Sequence, residues 1–360
     1  MRPETEDQLA GAIREATGAL RVTGGGTRAL GQGGPGEVLE TGGLSGVVLY
    51  EPASLTLVAK AGTRLDTVEA ILAAERQRLA FEPPRMEGLM GRSGPSTLGG
   101  VVAANASGPR RIQVGACRDA CLGVRFVDGR GQVVKNGGRV MKNVTGYDLV
   151  KLMAGSRGAL GVLTEVSFKL QPIPPAAATL ILPDAGFGAA VRAMTAALGS
   201  PFDVTGAAHL PGTGTLIRIE GLEDSVAYRA QRLAVELAPL GKAVVEREPA
   251  RIAALWAAVR DVQPFHARPG AVWRISCKPS DGPEVAKRAG GDVVMDWGGG
   301  LVWALFPEGE DLRPRLAGLP GHATLVRGIG AAPLPPEPEP VARLTRALKA
   351  QFDPRGLFAA

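Results

Sequence analysis

The strongest constraint on what this chain can fold into is where its glycines fall. There are 50 in 360 residues, and most of the excess lies before Gly161. They gather in three segments: "VTGGGTRALGQGG" (22–34), "GRSGPSTLGGVVAANASGPRR" (91–111) and "KNVTGYDLVKLMAGSRGALGVLTEVSFKL" (142–170). Glycine admits φ > 0 and lets another group approach the main chain closely. Successive N–H groups in such turns form a nest for an anion such as phosphate. One segment of this kind reads equally well as a tight turn. Three in one half of a chain point to a long, doubly phosphorylated cofactor pressed against bare backbone.

Two common phosphate folds are excluded. Gly24-x-Gly26-x-x-Ala29 follows the strand "LRVT" (20–23) and matches the dinucleotide fingerprint. That fingerprint must open a helix, yet "LGQGGPGEV" (30–38) holds four glycines and a proline in nine residues. A Rossmann domain is therefore rejected. No Gly-x-x-x-x-Gly-Lys-Ser/Thr occurs, so there is no nucleotide-triphosphate loop.

Around these loops the periodicity gives ordinary elements. "TEDQLAGAIREA" (5–16) is a helix with Thr5 and Gln8 at capping-box spacing and Leu9, Ile13 and Ala16 on one face. "GVVLYE" (46–51) and "TLVAKAG" (56–62) are strands, and "RLDTVEAILAAE" (64–75) is an amphipathic helix. "LGVRFVDGRGQVVKNGG" (122–138) is a hairpin turning at Asp128-Gly129. After Pro172 helices alternate with strands such as "TLIRIEG", "AVWRISC" and "LVWALF", a second α+β unit starting near residue 176. A last helix (340–352) follows the proline-rich "PLPPEPEP". No internal repeat is visible.

Charge narrows the partners. The net charge is +6, but the basic residues are dispersed, with no run of five and no interleaved aromatics, so no nucleic-acid partner is expected. The positive field suits an anionic cofactor, substrate or protein partner, or is solvated surface charge. Cys117, Cys121 and Cys277 cannot all pair, and Cys117 and Cys121 lack a second ligand pair, so no metal site is expected and a reducing compartment is. The acidic, polar start is no signal peptide, and no run of 18 apolar residues exists to span a membrane.

"GGGT" (24–27), "TLGGVVAANASG" (97–108), "GACRDACLG" (115–123), "KNVTGYDLVKLMAGSRGALGVLTEV" (142–166) and "FDPRGLF" (352–358) together resemble FAD-linked oxidases of the vanillyl-alcohol oxidase type. Within that family "KNVTGYDL", "WRIS" (273–276) and "DWGGGLVW" (296–303) look most like the FAD-binding E subunits of bacterial glycolate oxidases. The resemblance implies an α+β chain. A two-lobed FAD-binding domain would cover 1–175. An α+β cap with a largely antiparallel sheet, for substrate or partner, would cover 176–335. A C-terminal helix and tail (336–360) would pack back on the FAD domain.

The resemblance further implies that FAD is held by Gly24, Gly25, Gly26 and Thr27, by Pro83, Gly94, Thr97, Leu98, Gly99, Gly100, Ala103 and Gly108, and by Gly158, Gly161 and Val162. Many members link FAD covalently through a histidine after the first glycines. Thr27 and Arg28 stand there, so FAD is expected to be non-covalent. The usual acidic residue of the third loop is Arg157, and the tail ends "LFAA" where others continue Asn-Pro-Gly. The implied activity is oxidation of glycolate, a small 2-hydroxy acid, to glyoxylate, beside a larger FAD-linked subunit and an iron–sulfur subunit. The implied location is the cytoplasm, peripheral to the membrane through those partners.

Such chemistry needs a base for the hydroxyl proton and a cation for the carboxylate. His322, in "GHATLVR", is the candidate base, though a surface or core-edge histidine reads the same way. Arg274, in "VWRIS", is the candidate carboxylate partner, with a plain salt bridge as the alternative. Arg110 and Arg111 would neutralise phosphate, face a partner or be solvated. A stand-alone flavin dehydrogenase for another hydroxy acid or alcohol, and a non-catalytic subunit that keeps the fold, stay open as alternatives.

Overall fold

The computed structural model describes residues 1–30, 36–139, 146–183 and 185–358. Two features expected from the sequence, the glycines of 31–34 and the polar start of the third segment at 142–145, lie outside the described residues.

The first helix, Glu6–Glu15, begins as its sequence predicts. Thr5 accepts from the backbone N–H of Gln8, while the Gln8 side chain reaches back to the N–H of Glu4, one residue earlier than in a capping box. Leu9 and Ile13 are fully buried. The strand Leu20–Thr23 pairs in parallel with Glu37–Glu40 and delivers the chain into the first glycine segment. A separate five-stranded antiparallel sheet holds, in spatial order, Val47–Glu51, Thr56–Lys60, Val162–Lys169, Cys121–Val127 and Val133–Gly137. In the 121–137 hairpin Asp128 accepts from the N–H groups of Arg130 and Gln132. The left-handed residue is Gly131 (φ 74°) and not Gly129, so the turn is five residues long.

From Ala176 the chain builds an eight-stranded antiparallel sheet. Its first four strands in sequence are Ala176–Leu182, Val204–Leu210, Gly214–Gly221 and Val244–Glu246; its last four are Ala271–Cys277, Asp292–Asp296, Leu301–Phe306 and Gly321–Arg327. In space the first set runs fourth, first, third, second, and the other set runs second, third, first, fourth. The two sets meet at one pair, His209 opposite Met295. Each set is a β-α-β-β-α-β unit, the helices being Gly186–Leu198 and Glu223–Leu237 in one, Gly282–Ala289 and the short 3-10 turn Arg313–Leu316 in the other. An internal structural repeat is therefore present where the sequence shows none. The repeat lies in topology, and the shrinkage of one helix to a single turn erases its hydrophobic period.

The sheet packs these helices on one face, around Trp273, Ile275, Val302 and Met194. The other face turns to the first half of the chain. There Met86 and Leu89 pack with Trp256, Phe265, Val272 and Trp303. Buried ion pairs cross the same boundary. Arg218 holds Glu82 through two nitrogens at 2.9 Å, and Glu220 takes Arg78 at 2.8 Å and Arg110. Breaking such an enclosed pair costs about 3–5 kcal/mol, because the remaining charge stays buried. The boundary is thus specified by charge as well as by apolar contact.

The helix Glu339–Phe352 buries none of its residues. The tail after it returns to the first strand. Leu20 donates to the Leu357 carbonyl at 2.6 Å, Asp353 accepts from the N–H groups of Leu357 and Phe358, and Arg355 donates to the carbonyls of Ile13 and Arg14. "FDPRGLF" therefore braces the strand that leads into "GGGT".

Candidate cofactor site

The three glycine segments converge on one cavity of about 440 Å³, within the roughly 300–1,000 Å³ usual for cofactor sites. Gly24, Gly25, Gly26, Thr27, Thr97, Gly99, Gly100, Ala103, Gly158 and Gly161 all line it. The glycines do different jobs. A Cβ on Gly24 would overlap the Thr97 hydroxyl, one on Gly25 the Pro95 carbonyl, and one on Gly94 the Gly25 carbonyl. These three let the first and second segments touch backbone to backbone. Gly26 (φ 72°) and Gly158 (φ 87°) have nothing nearer than 3.9 Å and 3.7 Å, so their bare sides open on the cavity. Gly161 (φ 153°) does both: it lines the cavity, and a Cβ would come 2.8 Å from the Phe126 ring.

Five expected cofactor residues are not on the lining. Leu98 and Val162 point into apolar cores at 0% and 1% exposure. Gly94 is spent on the contact with Gly25. Pro83 is buried behind the loop. Gly108 lies at the boundary with the second half, against Glu82 and Arg260, and its carbonyl accepts from the Trp297 indole N–H at 3.0 Å. The cradle of "STLGG" is also narrower than expected. The N–H groups of Leu98 and Gly99 already donate to Thr63 and Ala61, and that of Gly100 to its N-cap Thr97.

The free donors sit in the first segment. No described group accepts from the backbone N–H groups of Gly24 through Arg28. Arg28 is enclosed beside them. Its Nη2 donates to the Pro84 carbonyl and the Ser96 hydroxyl, both at 2.7 Å, while Nε and Nη1 have no acceptor. Burial pulls its pKa down to about 10, with Glu87 acting in the opposite sense. The Ser156 hydroxyl, also on the lining, is buried and unpaired. Arg21, Arg28 and Arg157 line the cavity and no carboxylate does. Buried polar groups are normally satisfied. A nest of N–H groups with an unpaired guanidinium fits a pyrophosphate, as the FAD of such a site requires.

The sequence reading used Arg28 only to exclude a covalent link; a cation directly after the glycine nest was the available signal for a phosphate partner. Arg157, Leu163 and Ala104 were also missed, as was Ala332–Leu334. That last segment belongs to the proline-rich linker, where nothing in the sequence places it at a cavity; the Pro333 carbonyl ties it to Leu325.

The two residues expected to be catalytic lie elsewhere. His322 is exposed on the outermost strand, beside a small hollow of about 170 Å³ lined by Cys277 and Arg313. Partial burial and Arg274 hold its pKa below the usual value. Arg274 is on neither wall of the large cavity. It stands on the sheet face turned to the first half, with its guanidinium carbon 5.2 Å from the centre of the Trp297 ring. The three histidines remain apart: His209 is buried against Thr215, and His266 bonds the Asp261 carbonyl. Among the described residues no three or more His, Cys, Asp or Glu side chains gather as metal ligands. The three cysteines are free thiols.

Comparison with known proteins agrees with this geometry. Residues 1–137 match the FAD binding domain family. The glycolate oxidase subunit GlcE of Escherichia coli (strain K12) is 36% identical over 355 residues, 98% of this chain and 94% of its own length. The chain belongs to this family of FAD-linked oxidoreductases. The glycolate oxidase subunit GlcD of Bacillus subtilis (strain 168) is 37% identical over 115 residues, 32% of this chain and 23% of that protein. A D-lactate dehydrogenase of Anaerostipes hadrus is 32% identical over 150 residues, 42% of this chain and 30% of that protein. In fold the chain is similar to an alkyldihydroxyacetonephosphate synthase, with a TM-score of 0.74 at 15% identity, over 99% of this chain and 76% of the other. The cofactor is FAD, and the chain is an FAD-dependent oxidoreductase.

Proposed function

We propose that this protein is the FAD-holding subunit of a complex that oxidises glycolate to glyoxylate, working beside a larger FAD-linked subunit and passing electrons to an iron–sulfur partner. The observation that carries the reading is the cavity itself: the open N–H groups of Gly24–Arg28 and the unpaired nitrogens of Arg28 are intact in a chain that matches GlcE over 98% of its length. When bound, FAD supplies a two-electron acceptor. The chain's own residues supply position. The N–H nest and Arg28 hold the phosphates, Gly26 and Gly158 let the cofactor reach the backbone, and Ala332–Leu334 limit water at the wall.

Dependence on partners is supported by what the cavity offers. None of its lining residues is a histidine, carboxylate or cysteine, so the wall presents no ordinary base for the hydroxyl proton. The reading places the chain in the cytoplasm, on the membrane's inner face only through its partners, which suits three free thiols. The test compares glycolate-dependent dye reduction by the isolated chain and by the chain reconstituted with its co-purifying partners. The expected result is weak turnover alone and full turnover in the complex. Equal rates would make the chain a self-sufficient dehydrogenase, and a colourless complex member with no effect on rate would make it structural.

A further inference from the structure

Three arginines stand at the boundary between the two halves without any acceptor for their guanidinium groups among the described residues: Arg111, Arg157 and Arg274. Arg111 comes from the short helix Arg111–Val114 of the first half, and Arg274 from the strand Ala271–Cys277 of the second. Both guanidiniums lie over the indole of Trp297, at 4.4 Å and 5.2 Å from the ring centre. Trp297 is held in place from both sides. Its ring N–H donates to Gly108 of the first half, and its backbone N–H to its own neighbour Asp296. It sits at φ 54° at the head of a Gly-Gly-Gly turn, a left-handed conformation that an aromatic residue adopts only under constraint.

The three charges act on one another. Arg274 is deeply enclosed and its pKa is pulled down to about 10, first by burial and then by Arg111 and Arg157, so the three share one field. Arg157 carries that field to the wall of the large cavity, where its side chain is exposed. The carboxylate whose field reaches Arg274 is Asp296, and burial pushes that acid up to about 7, so it offsets the positive charge only in part. Elsewhere on the same boundary Arg78, Arg110 and Arg218 are each paired with Glu82 or Glu220. A boundary that pairs three arginines and leaves three unpaired is organised for an external anion.

We propose that Arg111 and Arg274, held over Trp297 and backed by Arg157, form a binding site for the carboxylate of a small organic acid, assembled from both halves of the chain next to the cofactor cavity. Both guanidinium carbons lie within cation–π range of the one indole, which holds the two side chains in place before the ligand arrives. A monocarboxylate brings one negative charge and acceptors for both forks. The choice of glycolate as the probe rests on the proposed function; the site itself rests on the geometry.

The test uses the purified, FAD-loaded chain under anaerobic conditions, with tryptophan fluorescence read during titration with glycolate, acetate and ethylene glycol. Glycolate and acetate are expected to change the emission, and ethylene glycol, which has no carboxylate, is not. Trp297→Phe should abolish the change while the other three tryptophans still emit. Arg274→Met and Arg111→Met should each raise the glycolate Kd at least ten-fold with one FAD per chain retained. Retained FAD also shows that each variant is folded, and Arg274→Lys should bind glycolate more weakly than wild type and more tightly than Arg274→Met. An equal response to ethylene glycol would overturn the proposal. Loss of FAD in place of glycolate affinity would overturn it too, by assigning the arginines to the cofactor. If carboxylates bind as expected but the full complex reduces no dye with glycolate, the proposed function fails and the site stands.

Discussion

Replacing Arg28 by methionine should leave the free protein nearly unchanged and weaken its hold on FAD. In the free protein the guanidinium is buried with Nε and Nη1 unpaired and only Nη2 engaged, on the Pro84 carbonyl and Ser96 hydroxyl. An unsatisfied buried donor costs about 1–3 kcal/mol, and each hydrogen bond that is made contributes about 1 kcal/mol. Losing two bonds and removing unpaired donors of a charged group therefore nearly cancel. Methionine has similar length and fills the space with an adaptable thioether. The free variant should melt within a few degrees of wild type.

Binding tells the other side. A charge-assisted hydrogen bond to phosphate is worth about 1.5–3 kcal/mol, which is roughly a ten- to hundred-fold rise in the FAD Kd. The assay is a pair of thermal melts, with and without added FAD, and a titration of FAD by its fluorescence quenching. Wild type should gain stability with FAD by mass action, and the variant should gain much less at the same concentration. A variant that binds FAD as tightly as wild type would refute the assignment of Arg28 to the pyrophosphate. A free variant that melts far lower would show that the two observed bonds outweigh the unpaired ones.

Acid precipitation should release all yellow colour into the supernatant, because Thr27 and Arg28 offer no linking histidine; flavin left in the pellet would contradict it. Gly100→Val should lose FAD from a folded chain, since an added Cβ meets only the Thr97 hydroxyl at 3.2 Å and projects at the cavity wall. Gly161→Val should instead lose soluble fold, because its Cβ strikes Phe126 and its φ of 153° is left-handed; circular dichroism and flavin content separate the two. Asp296→Asn should stabilise the protein more at pH 8 than at pH 5. Burial raises the Asp296 pKa from 3.8 to about 7, so the folded state is favoured while the acid is protonated and loses stability as pH rises through that range. Melting curves with an equal gain at both pH values would show that Asp296 titrates normally.

What the sequence made legible follows from how locally each feature is determined. The helix at Glu6–Glu15, the strands of the first half and the convergence of three glycine segments were readable because caps, alternation and bare backbone act over a few residues. What a glycine is for was less legible. Gly25 and Gly26 are neighbours in one motif, yet one is bare because the Pro95 carbonyl touches it and the other because it opens on the cavity. Both needs exclude a Cβ, so composition cannot tell them apart. Leu98 and Val162 were carried along by the motif, while their side chains serve the core. The paired β-α-β-β-α-β units were hidden for a different reason: strand order is fixed by contacts between distant segments, and no local period records it.

The sharpest case is Arg110 beside Arg111. In the sequence they are one feature, a basic pair after the second glycine segment. In the structure Arg110 is buried, with Glu220 as its partner and its backbone N–H on Glu82. Arg111 opens the next short helix and turns its guanidinium to Trp297; Asp119 reaches it only through its field, with no ion pair formed. One residue of rotation at a helix start sends one side chain to the paired side of the boundary and the other to the unpaired side. The paired set, Arg78, Arg110 and Arg218, holds the two halves together through enclosed ion pairs whose rupture strands a charge. The unpaired set, Arg111, Arg157 and Arg274, is then held at fixed positions by that same latch. Weakening the latch should therefore loosen the unpaired arginines as well. Glu82→Gln, which removes one acceptor charge from Arg218 beside Gly108, the residue that holds the Trp297 indole N–H, should lower thermal stability and weaken carboxylate binding together. A loss of stability with unchanged glycolate affinity would show that the two sets are independent.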